Sequence, residues 1–204
     1  MLALRRRSTR SVVGVLALIA LVVGSIAVAT PASAAKKKSK PVALATATGW
    51  LDVATAAKLT AAGAPQQITD TSSPNLAQMS ALLSGLAFKG LGTASYARTQ
   101  ADPSDPSAPI GNYILKVVVF GSAKDAQKFR AADASDVLAK GALKQVDTYG
   151  DGVVLQDTQG HVNAMFTVNN VAVDIRTGIA EKAPGDGVKD IKHVADAVVA
   201  NSKK

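Results

Sequence analysis

The stretch HVNAMFTVNNVAVDIRT, His161 to Thr177, decides the fold. Two runs of alternating apolar and polar residues flank Asn169-Asn170, and asparagine accepts the positive φ that a tight hairpin turn requires. With Val168 opposite Val171, Phe166 faces Val173 and Ala164 faces Ile175, apolar pairs on one side of a ladder. The other side carries His161, Asn163, Met165 and Thr167 beside Ala172, Asp174 and Arg176, with Asn163 opposite Arg176 and Met165 opposite Asp174. One face is dry and the other wet, the pattern of an antiparallel sheet with helices on one side.

Just upstream, Gly152–Asp157 adds a third strand to this meander. Tyr113–Phe120 is nearly all apolar and reads as a central strand, with Thr93–Thr99 as another. Between them, Gln100–Gly111 is rich in proline and aspartate and reads as a long loop. Ser122, with Asp125 three residues on, resembles a capping box. It opens a helix that buries Ala126 and Phe129 and frays near Asp133–Ser135. Asp52 can cap a helix over Val53–Ala62 that Gly63 ends. Ser73-Pro74 opens an amphipathic helix to about Gly85, with Leu76, Met79 and Leu83 on one stripe. A last helix, Gly187–Asn201, places Val188, Ile191, Ala195 and Val198 together and His193 on the opposite side. The sum is an α+β fold: a single antiparallel sheet of about five strands, with helices packed on one face.

The N-terminus has a different grammar. Arg5-Arg6-Arg7, an apolar run Val12–Ala29 and the small-residue site Ala32-Ser33-Ala34 form a secretory signal, with cleavage expected after Ala34. The alternative is an uncleaved anchor, since 18 residues of helix span roughly 27 Å, about one bilayer core. Gly14, Gly24 and Pro31 favour cleavage. The organisation is therefore residues 1–34 signal peptide, 35–41 basic disordered leader and 42–204 a single α+β domain. The leader holds Lys36, Lys37, Lys38 and Lys40, and its expected partner is an anionic envelope polymer or lipid.

Charge follows this division. The 204 residues include 23 Lys and Arg against 15 Asp and Glu, a formal +8. From Pro41 onward the two signs balance at 15 each, which removes the basis for a nucleic-acid partner. Alanine is abundant, and Glu181 is the only glutamate. With Leu51–Gly63 and the strand and helix over residues 113–132, this habit resembles small exported α+β proteins of high-GC actinobacteria, which occur as secreted proteins, lipoproteins or kinase sensor domains. That resemblance assigns no functional residue.

The chemistry is sparse. Absent cysteine excludes disulfides and thiolate metal sites, and two histidines leave little imidazole. Neither G-x-S-x-G, H-E-x-x-H nor a phosphate-binding glycine motif occurs. No catalytic residue, metal ligand or cofactor is assigned. His161, Asn163, Asp174 and Arg176 converge on the wet face as candidate binding residues, with Arg176 offering a bidentate fork to an unknown ligand or protein. The expected function is an exported, non-catalytic domain that binds a ligand, envelope polymer or protein at or beyond the cell surface. The alternatives are a secreted hydrolase assembled from distant residues, and a protease inhibitor presenting Gln100–Gly111.

Overall fold

Val117, Val118, Val119 and Phe120 are all buried, although successive strand residues point to opposite faces. Both faces of the sheet are therefore covered here, and the rest of the architecture follows. The computed structural model describes residues 40–99, 111–179 and 186–204. The expected signal peptide, most of the expected leader, residues 100–110 of the proline-rich loop and Glu181 lie outside them.

The strands are β1 (Thr60–Ala61), β2 (Gln66–Ile68), β3 (Phe88–Arg98), β4 (Gly111–Phe120), β5 (Lys144–Tyr149), β6 (Gly152–Gln156), β7 (Val162–Val168) and β8 (Val171–Ile179). They form one eight-stranded sheet in the order β1-β3-β4-β8-β7-β6-β5, with β2 also paired to β3. All pairings are antiparallel. The sheet thus has eight strands rather than about five. The additional ones are short or lie at the edges, where few buried side chains mark them. Phe166 pairs with Val173, Ala164 with Ile175, Asn163 with Arg176 and Met165 with Asp174, as the Asn169-Asn170 turn dictates. Only Asn169 takes the positive φ, at 55°.

The helices are α1 (Leu44–Gly49), α2 (Ala54–Ala57), α3 (Pro74–Ala77), α4 (Ser80–Leu83), α5 (Ala123–Ala139) and α6 (Asp186–Asn201). The helix expected over Val53–Ala62 is the four-residue α2. Lys58 ends it at φ 52°, and Thr60–Ala61 then joins the sheet. The helix expected from Pro74 to Gly85 is two short turns. α1, α2 and α6 cover the face bearing Leu115, Val117, Phe166, Val173 and Ile175.

The expectation of helices on one face alone is corrected by α5. It crosses the opposite face, packing Ala126 and Phe129 against Val118, Phe120 and Ala172, and Ala134 against Leu155 and Met165. Those sheet residues form an apolar patch inside the supposedly wet face, and burying it is the driving force. Ser122 Oγ caps α5 by accepting from Asp125 N at 3.1 Å. The helix continues through the expected fraying point to Ala139.

Gly92 shows how closely the layers approach. It lies inside β3 rather than in a turn, and a Cβ there would fall 2.5 Å from Thr48 Oγ1 of α1 and 2.7 Å from Val117 Cγ2. Among the described residues no helix is long and apolar enough to cross a membrane.

Candidate functional site

Two adjacent rows of side chains cross the α5 face of the sheet. The first runs Ser95, Ile114, Arg176, Asn163, Leu155; the second runs Thr93, Lys116, Asp174, Met165, Val153. Exposure changes along each row. Ser95 and Ile114 are exposed, Lys116 and Arg176 half-buried, and Asn163, Asp174, Met165 and Leu155 buried beneath α5. Along these two rows the face is thus open at the β3 and β4 end and covered over β7 and β6, whereas Leu91, Val118 and Phe120 further along β3 and β4 are buried. Beside its open end, at the β3 edge, a shallow pocket of about 310 Å³ is lined by Gly63, Gln66, Thr93 and Ser95.

Asp174 orders the centre of this arrangement. Its Oδ2 accepts from Arg176 Nε at 2.7 Å and lies 2.7 Å from Arg176 Nη2. That charge raises the guanidinium's pKa further against the effect of burial. The Arg176 side chain keeps 39% exposure, so part of it stays open to solvent while Nε and Nη2 engage Asp174. Lys116 sits directly across from Asp174 and diagonally from Arg176, and among the described residues it makes no ion pair.

The four expected face residues therefore divide. Asn163, Asp174 and Arg176 come together, but Asn163 and Asp174 lie under α5 instead of in solvent. His161 lies just before β7. Its Nδ1 is 2.6 Å from Asp157 Oδ2, and its main-chain N–H donates to Asp157 Oδ1 at 2.9 Å, closing the β6–β7 turn. Burial of Asp157 opposes ionisation, but the His161 bonds outweigh it and leave that carboxyl below its ordinary range. His193 is exposed, as its helical phase requires, with Nε2 3.2 Å from the Ala56 carbonyl oxygen. Lys40 is exposed; Lys36, Lys37 and Lys38 lie outside the described residues.

Asp133 and Arg130, on the inner side of α5, and Lys116 were missed from the sequence. A signal existed: Asp133 continues the buried stripe of Ala126 and Phe129, and Lys116 is the one charge within Tyr113–Phe120. Together with Met165, Asp174 and Phe129, these three line a cavity of about 10 Å³. Burial, then the charge of Asp174, pushes Asp133 up to about 6.

The other face holds a separate buried polar set. Arg98 Nη1 donates to Tyr113 OH and Asp190 Oδ1, each at 2.8 Å, and Nη2 donates to the Ala57 carbonyl at 3.0 Å. Tyr113 OH donates to Asp190 Oδ2 at 2.8 Å. Burial first, then the Asp190 charge, raises the phenol. This set ties α2 and α6 to the sheet. Among the described residues no group of His, Asp and Glu is arranged to hold a metal ion.

Fold and site define an α+β domain with one antiparallel sheet, helices on both faces and a partly open polar stretch of sheet. No protein-family model matches the chain, and no curated protein does. Among solved structures it is similar to the extracellular domain of PknH from Mycobacterium tuberculosis, at 18% identity and a TM-score of 0.47, over 77% of this chain and 97% of that one.

Proposed function

We propose that the chain is exported, is cleaved after Ala34, and acts as a non-catalytic recognition domain for an anionic ligand at or beyond the cell surface. The observation that carries this reading is the pair of cations at the open end of the sheet. Lys116 lacks an ion pair among the described residues, and Arg176 is held by Asp174 with its side chain partly exposed. A carboxylate or phosphate group suits that pair, with the fork supplying direction and the lysine a second charge. Exposed Ile114 and the pocket beside Thr93 and Ser95 give such a ligand apolar and hydroxyl contacts. The basic leader adds long-range attraction that salt screens.

Titration calorimetry with short polyphosphate and polyglutamate probes tests the reading. Lys116→Gln should weaken binding roughly 10-fold, about 1.4 kcal/mol, and flatten its salt dependence. Arg176→Lys keeps the partner of Asp174 but loses the fork, so it should weaken binding while leaving the melting temperature nearly unchanged. Equal affinity in both variants and the parent would overturn the assignment. Deleting Lys36–Lys40 should slow association without abolishing binding.

A further inference from the structure

The cavity beneath α5 supports a separate inference, which does not depend on the recognition function. Four charged side chains line its small volume of about 10 Å³: Lys116, Arg130, Asp133 and Asp174. Asp174 gives Oδ2 to Arg176, while its Oδ1 is buried with no hydrogen-bond partner among the described residues. Arg130 Nε is buried in the same condition, and its Nη2 lies 3.7 Å from Asp151. Buried polar groups without partners are strongly destabilising. A buried donor and a buried acceptor on residues that line one cavity call for a partner that can serve both.

The volume selects that partner. It is about one water-sized probe, and a buried water requires two to four polar neighbours. A cation is disfavoured because Lys116, Arg130 and Arg176 already surround two carboxyl groups. We propose that the cavity binds one structural water, which accepts from Arg130 Nε–H and donates to Asp174 Oδ1 and to the Asp133 carboxylate. This water fastens the middle of α5 to β8 at the point where apolar packing gives way to charge.

The joint is proton-linked. Asp133 is faced by Arg130 and Asp136 of α5, Lys116 of β4, and Asp174 and Arg176 of β8. Burial and the Asp174 charge hold its carboxyl at about 6, against 3.8 in the unfolded chain. The folded state therefore binds this proton more tightly. The stability it contributes is full below the unfolded value and is lost as pH rises through about 6. When Asp133 is protonated it donates to the water, so the bridge persists with one hydrogen bond reversed.

A high-resolution crystal structure of the exported protein at about pH 7 should show a single density peak within hydrogen-bonding distance of all three groups. Direct contact among Arg130, Asp133 and Asp174, or a dry cavity, would overturn the site. Carboxyl-carbon NMR supplies the second readout. Asp133 should titrate near 6 in the parent and shift toward the ordinary carboxyl range in Asp174→Asn. Raising the acidity from about pH 7 to about pH 5 should raise the melting temperature of the parent relative to that of Asp133→Asn. An Asp133 midpoint near 4, or the same pH response in both proteins, sinks the proton linkage.

Discussion

Asn169 and Asn170 are neighbours of one type with different tasks. Asn169 turns the hairpin at positive φ. Asn170 uses its side chain as a clasp: Oδ1 accepts from Val42 N at 2.7 Å, and Nδ2 donates to the carbonyls of Val42 at 3.1 Å and Phe120 at 2.6 Å. Its own carbonyl accepts from Phe120 N at 2.9 Å. One amide thereby satisfies main-chain groups from the start of the domain and from the end of β4. Asn170→Ala should cost about 2 kcal/mol by leaving such groups unpaired. Asn169→Gly should be close to neutral, because glycine accepts positive φ freely. Urea denaturation of the two variants checks this; equal losses would mean that the turn, not the clasp, carries the energy. The doublet's turn was legible in the sequence, but its clasp was not, because Val42 lies 128 residues away.

At the scale of elements, the hold of α6 and α2 on the sheet passes through a buried charge. Arg98 and Asp190 keep side-chain exposures of only 4% and 6% at a separation of 2.8 Å. Removing one partner of such a pair leaves the other uncompensated, whereas replacing both by apolar residues of similar size is far better tolerated. Arg98→Met and Asp190→Leu should each destabilise the protein by about 3 kcal/mol, with the double variant costing less than their sum. Chemical denaturation of the four proteins measures the coupling, and additive losses would contradict it. The elements themselves were unequally legible. β7 and β8 announced their register because alternating apolar residues met a two-residue turn. β5 did not: it is an edge strand whose Val146 is 48% exposed, with a register shift between Gln145 and Asp147. α1 carries no side-chain cap, so nothing marked its start. The placement of α5 was hidden because alanines and the polar Asp133 share its buried side. For that reason the candidate site was half legible: its β7 and β8 residues and the helix were each found, while the placement of that helix over them was not.

For the whole molecule, charge belongs to segments with different fates. Residues 41–204 are balanced, so the formal +8 resides in Arg5, Arg6, Arg7 and Arg10 and in Lys36, Lys37, Lys38 and Lys40. Cleavage after Ala34 would halve it to +4 and leave the leader as the source of the entire excess. The same division separates two roles of cations. On the proposed recognition function, the leader would attract anions at long range and be sensitive to salt, while Lys116 and Arg176 would act at contact distance. That arrangement depends on processing at the expected site Ala32-Ser33-Ala34, whose small residues are what peptidase pockets admit. The intact mass of protein recovered from culture medium should therefore correspond to a chain beginning at Ala35. Replacing Ala34 with a bulky residue should block processing and leave the protein in the membrane fraction with Val12–Ala29 still attached. A medium-borne product retaining Met1–Ala34 would show that the arginines stay with the working protein and that all eight cations, not the lysines alone, supply any long-range attraction.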